Sequence, residues 1–154
     1  MKYEPYVQRI RWKLEESAKL YSKLVYREVA GIPGAPAGLS PLEGFETLEH
    51  FRDVPETGWE TAPVCPGRVW GGDSGNLWLR GSFTVPEDAA GEPLFLQCET
   101  GAFECFVFVN GEPAGMFNSK DDLYGRGHDA VPLTAGTPAG TVISFAVECY
   151  AGHF

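Results

Sequence analysis

The chain of 154 residues holds little of what most function classes need. It has three histidines, and His50, His128 and His153 stand far apart, with no H-x-H or H-x-D motif to seed a metal centre. Its four cysteines, Cys65, Cys98, Cys105 and Cys149, form no C-x-x-C pair, so a zinc ribbon is not expected. No apolar run approaches the roughly 18 residues of a membrane span. The first fifteen residues carry Lys2, Glu4, Arg9, Arg11, Lys13 and Glu15, and so lack the apolar stretch of a secretion signal. A cytoplasmic setting with reduced thiols is the expectation. Positive charge is scarce too, with 12 Lys/Arg against 21 Asp/Glu and a net charge of −9. Neither nucleic acid nor an anionic membrane is therefore expected as a partner.

The charge is unevenly placed. Residues 1–29 hold seven Lys/Arg and four Asp/Glu, while the remainder holds five and seventeen. In the first segment Tyr6, Ile10, Leu14, Ala18, Tyr21 and Val25 recur at three- and four-residue spacing, which predicts an amphipathic helix over 4–29. Pro5 suits its first turn, and Gly31 with Pro33 stops it. Such a stripe needs a partner surface, either the rest of the chain or a second copy. Ile32 to Gly38 reads as loop, and Pro41 to Arg52 as a short helix around Leu42, Phe45, Leu48 and Phe51.

What the sequence does have, in quantity, is β pattern. Phe103 to Val109 is an aromatic and β-branched run that stops at Asn110-Gly111, the strongest short hairpin signal, because a type I′ turn needs φ > 0 at both central positions. Both faces of this run are apolar, which predicts the covered, central strand of a sandwich. Further strands are expected at 76–85, 94–100, 113–117, 129–133 and 141–150, punctuated by glycines. The expected organisation is a helix and irregular extension over 1–58, packed on a β-sandwich over 59–154.

Five segments occur in order: Trp70-Gly71-Gly72, Trp78 to Pro86, Val107 to Pro113, Val131-Pro132-Leu133, and Glu148 to His153. Together they resemble the N-terminal β-sandwich of α-mannosidases of glycoside hydrolase family 38, a jelly-roll of the galactose-binding-like type. The resemblance implies a mainly β fold with an N-terminal α-helix. It also implies a downstream catalytic domain as the partner, with the family's divalent metal and its nucleophilic carboxylate lying on that domain and not here. The expected role is a non-catalytic domain that buttresses the catalytic one and shapes the substrate cleft or an oligomer interface. An independent carbohydrate-binding module is the alternative.

No catalytic or metal-binding residue is assigned in this chain. Asp121-Asp122 is a carboxylate pair, but sequence neighbours on a strand face opposite ways and do not make the facing pair that glycoside hydrolysis needs. A calcium site at Asp121, Asp122 and Asp129 matches no loop spacing. Ser119, His128 and Asp129 lack a strained nucleophile turn. The candidate carbohydrate-binding residues are Trp70, Asp73, Asn76, Trp78, Asn118 and Tyr124, whose rings could stack on a sugar and whose polar groups could bind its hydroxyls.

Overall fold

A computed structural model describes residues 4–25, 38–60, 67, 69–98, 100–118 and 130–152. The fold is mainly β, with antiparallel sheets and an N-terminal helix. Helix α1 spans Glu4–Val25, and the strands are β1 (Glu43–Thr47), β2 (Asn76–Thr84), β3 (Leu94–Leu96), β4 (Glu104–Val109), β5 (Glu112–Phe117), β6 (Val131–Thr134) and β7 (Val142–Tyr150). Five strands form one sheet in the order β1-β2-β7-β4-β5, and β3 pairs with β6 in a second.

The centre of the large sheet is β7, rather than the run after Phe103. All nine residues of β7 pair with β2, and six of them pair with β4 on the other side. Its odd-numbered side chains, Ile143, Phe145, Val147 and Cys149, are all buried. With Leu77, Leu79, Cys105 and Val107 from β2 and β4 they form the main core, which Leu96, Val131 and Leu133 of the small sheet complete. Burying one face of a pleated strand on a second sheet is the ordinary way to remove such apolar area from water. Strand β4 lies between β7 and the edge strand β5. Phe108 is buried, but Phe106 on the same face is 50% exposed, so cover on that side is partial.

The other face of the sheet is covered by aromatic rings. Trp78, Phe108 and Ala146 are buried there, with Phe45, Phe51, Val54 and Trp59 packed on them. This corrects the expectation of a helix over 41–52. Glu43–Thr47 is a strand that pairs with β2, and Phe45 lies opposite Trp78. The three-residue spacing of Leu42, Phe45, Leu48 and Phe51 imitated a helical stripe, yet Leu48 is exposed. A dozen residues containing Gly44 make a weak helix, whereas the open edge of β2 offers a ladder of backbone partners to Glu43–Thr47. The strand expected at 94–100 also ends early, at Leu96. Thr100 Oγ1 accepts the Ala102 N–H at 3.1 Å and Gly101 has φ +71°, a local turn that draws the backbone out of the ladder.

Helix α1 forms as the spacing predicts as far as Val25, and 26–29 lie outside the described residues. Every side chain from Tyr6 to Ala18 is exposed, so the expected packing of this stripe on the sheets is not made there. The side chains of Tyr21 and Val25 lie outside the described set.

The hairpin forms at Asn110-Gly111, with φ +51° and +85° and Val109 opposite Glu112. Asn110 also pins the turn to β7: its Oδ1 accepts the Ser144 N–H at 3.0 Å. An added Cβ at Gly111 would meet nothing within 4 Å, so substitution there tests backbone strain alone. Gly111→Val should lower stability by roughly 1–2 kcal/mol, read as a lower urea midpoint with unchanged slope. An unchanged midpoint would mean that the turn relaxes without cost.

Candidate functional site

The register of the sheet gathers several chain segments at one end. Asn76 pairs with Tyr150, and Tyr150 with Glu104, while Cys105 pairs with Phe117. The start of β2, the end of β7, the start of β4 and the end of β5 are therefore neighbours. The loop before β2 is tied in by Ser74 N–H to Gly152 O at 3.0 Å and Ala151 N–H to Gly75 O at 2.9 Å. Gly71 and Gly72, with φ +89° and +141°, give that loop its shape. Trp70, Asp73, Asn76, Trp78 and Asn118 thus lie on or beside one end of the sheet, although 42 positions separate Asn76 from Asn118. Tyr124 lies outside the described residues, as do Ser119, Asp121, Asp122, His128, Asp129, His153 and Cys65.

The two tryptophans have structural duties. Trp78 is 0% exposed, with rings of Phe108, Phe51 and Trp59 at 5.7, 6.2 and 6.4 Å. No sugar can stack on it, which corrects its expected role as a stacking platform. Trp59 is held over it by a bond from its Nε1 to Pro55 O at 2.8 Å and by the Arg80 guanidinium 4.4 Å from its ring. Arg80 is in turn fixed to Glu43 across β1 and β2 at 2.6 Å. Trp70 is partly buried against the main core, and its Nε1 donates to Thr100 O at 2.9 Å. Asp73 is exposed and Asn118 half-buried, and both are engaged in further interactions.

Beside Asn76 and Trp78 the structure brings residues that the sequence did not mark as site candidates, chiefly Glu148, Tyr150 and His50. Across the sheet, Trp78 faces Glu148, and Glu148 faces Phe106. Asn76, Trp78, Glu148 and Tyr150 alternate onto the aromatic face, and His50 reaches the same place with its ring 6.1 Å from that of Tyr150. Asn76 is 1% exposed, and neither of its amide atoms has a hydrogen-bond partner among the described residues; the same holds for Trp78 Nε1 and Glu148 Oε1. Buried polar atoms are usually satisfied, so four orphans from three adjacent residues mark a place built for polar contact. Burial pushes the Glu148 carboxyl above its ordinary value, and the charge of His50 partly opposes this. With the Asn76 amide and the Trp78 N–H, the Glu148 carboxyl makes a compact buried polar set. One signal was legible: Glu148 is the only charge in the otherwise apolar or hydroxylic strand from Val142 to Tyr150.

On the opposite face at this end, Cys98, Cys105 and Cys149 carry free thiols. Among the described residues no group of three or more His, Cys, Asp or Glu side chains is placed to hold a metal ion, and no helix is long and apolar enough to cross a membrane. Comparison with protein-family models, curated proteins and solved structures found no match to the chain.

Because burial favours the protonated form, the folded chain holds the Glu148 proton to higher pH than the unfolded chain does. The stability this allows is complete below the ordinary value of 4.5 and is lost as pH rises through the raised folded value. Glu148→Gln removes the ionisation and keeps the shape. The variant should therefore unfold at higher urea than the parent at neutral pH, with the gap closing as pH falls towards about 4. Parallel curves at every pH would show that Glu148 is fully solvated.

Proposed function

We propose that this chain is a non-catalytic β-sandwich module, of the galactose-binding-like jelly-roll type, of an α-mannosidase-like glycoside hydrolase, and that it acts by docking on the catalytic domain. The observation that supports this reading best is the apolar surface of α1. Tyr6, Val7, Ile10 and Leu14 are between 55% and 72% exposed on one side of the helix. So much contiguous apolar area is unusual on a monomer and marks a contact surface. The basic surplus of the first 29 residues would let it meet an acidic partner surface. Of the five segments that carry the resemblance, Trp78 to Pro86 covers most of β2, Val107 to Pro113 the end of β4 and its hairpin turn, Val131 to Leu133 most of β6, and Glu148 to His153 begins in the end of β7. On this reading the divalent metal and the glycosidic chemistry belong to the catalytic domain.

Direct carbohydrate binding is the second reading. It is favoured by the gathering of Asp73 and Asn118 at one end of the sheet, where Asp73 is exposed and Asn118 and Glu148 are half-buried.

The test compares the 154-residue chain with the product of its full reading frame. The full product should hydrolyse aryl α-mannosides and show slowed amide exchange over residues 6–18, while the short chain shows neither. Ile10→Asp with Leu14→Asp should lower turnover in the full product and restore fast exchange. Turnover by the repurified short chain, or a reading frame that closes at Phe154, would defeat the docking reading. Calorimetry of the short chain with mannose oligosaccharides decides the second reading: heat that disappears in Asp73→Ala supports it, and no heat defeats it.

A further inference from the structure

Cys105 on β4 and Cys149 on β7 are direct cross-strand partners. The hydrogen-bonding parity of that ladder is set at its other end, where Asn110 N–H donates to Ser144 O at 2.9 Å. Asn110 and Ser144 are thus a hydrogen-bonded pair. Alternate pairs along an antiparallel ladder share that state, so Cys105 and Cys149, an odd number of positions away, are a non-hydrogen-bonded pair. The β2 side gives the same result, since Val85 N–H donates to Thr141 O at 2.9 Å and so turns the odd residues of β7 towards β2. Non-hydrogen-bonded partners bring their Cα atoms to about 4.5 Å and their side chains closest, which falls inside the roughly 4.4–6.8 Å range of disulfides. The side chains agree with the backbone: both are buried in the same core, Cys105 at 3% and Cys149 at 0% exposure. Cys105 Sγ also lies 3.2 Å from Thr100 Oγ1.

We propose that Cys105 and Cys149 form a redox modification site, at which a small-molecule disulfide such as oxidised glutathione converts the two thiols into a disulfide that staples β4 to β7. The exchange balances in two steps. The Cys105 thiolate attacks one sulfur of the small disulfide and expels a small thiolate. Cys149 then gives up its proton to that thiolate and attacks the Cys105 sulfur, expelling the second small thiolate, which takes up the proton that Cys105 released to solvent. Two protein thiols and one small disulfide become one protein disulfide and two small thiols. The order follows from the surroundings. The contacts with Cys149 and Thr100 hold the proton affinity of Cys105 down against its burial, whereas the contact with Cys105 and burial drive that of Cys149 up. Cys105 is the second residue of its strand, beside the turn at Thr100 and Gly101, where a sheet end opens most readily. The proposal is independent of the reading of function above.

The 154-residue chain is unfolded, refolded in glutathione buffers of graded ratio, blocked by alkylation and mapped by peptide mass. The expected result is a cross-linked Cys105–Cys149 peptide in monomeric protein, lighter than its thiol form by two hydrogens, growing with the oxidised share and abolished by dithiothreitol. Cys98→Ser should keep the cross-link. Cys149→Ala should abolish it, and Cys105→Ser gives the same reading should that variant fail to fold. Recovery of Cys105 and Cys149 both alkylated at the most oxidising ratio, or linked to Cys65 or Cys98 instead of to each other, would overturn the proposal.

Discussion

The whole arrangement depends on the register of β7. Its odd residues hydrogen-bond to β2 and its even residues to β4, so the strand is fixed on both sides at once. A slip of one residue would turn Ile143, Phe145, Val147 and Cys149 out of the main core and drive Ser144 and Glu148 into it. Removing four apolar side chains from a packed core costs several kcal/mol, and an ionised Glu148 buried among them costs more. That penalty selects one register, and this register also determines what meets at the end of the sheet. Asn76, Tyr150 and Glu104 are neighbours for the same reason that Val147 is buried.

The aromatic face shows how a two-sided sheet is finished without a second full sheet. Trp78 occupies the middle of it, Phe51 and Trp59 close over its ring in edge-on contacts, and Phe45 meets both of these edge-on in turn. Edge-to-face geometry satisfies the ring quadrupoles, and the Arg80 guanidinium on Trp59 caps the outer surface. The cover is short. It reaches Phe108 and Ala146 but leaves Phe106 half out, and near the end of β7 it gives way to His50, Tyr150 and Glu148. The polar cluster is thus the place where the aromatic lid ends.

Much of the β architecture could be read from the chain because its signals are local. The Asn110-Gly111 turn, the glycines between runs and the alternation in Val142 to Tyr150 each act within a few residues, and five of the six strands expected from Asn76 onwards have boundaries within about two residues of those observed. The failures had non-local causes. The segment from Leu42 to Phe51 has no strong propensity of its own, and the open edge of β2, some 35 positions later, decides its conformation. The central position of β7 could not be seen either, because strand order depends on pairings that no periodicity encodes. The candidate site was half legible. The loop residues Asp73 and Asn118 had the right chemistry, but Trp78 proved to be core, and Glu148 was hidden because a single charge in a strand gives no sign of which residues will face it.

Glu148 and Cys149 are adjacent in sequence, and this places two chemistries on one strand. Successive residues of β7 point to opposite faces, so the carboxyl meets Trp78 and the aromatic lid while the thiol meets Cys105 in the main core. Cys149 is bonded through its backbone to β2 and Glu148 to β4, so a shift of either is passed to the other along one strand. A covalent link from Cys149 to Cys105 would restrain the β4–β7 ladder at the step beside Glu148 and Phe106. It would thereby limit the opening of the sheet end at which Asn76 is buried and Glu148 half-buried. Trp70 joins the loop side to the same point, because its indole is bonded to Thr100, the residue whose hydroxyl touches Cys105. The cysteine pair and the polar cluster are therefore mechanically one unit, built on the last residues of the strand that fixes the fold.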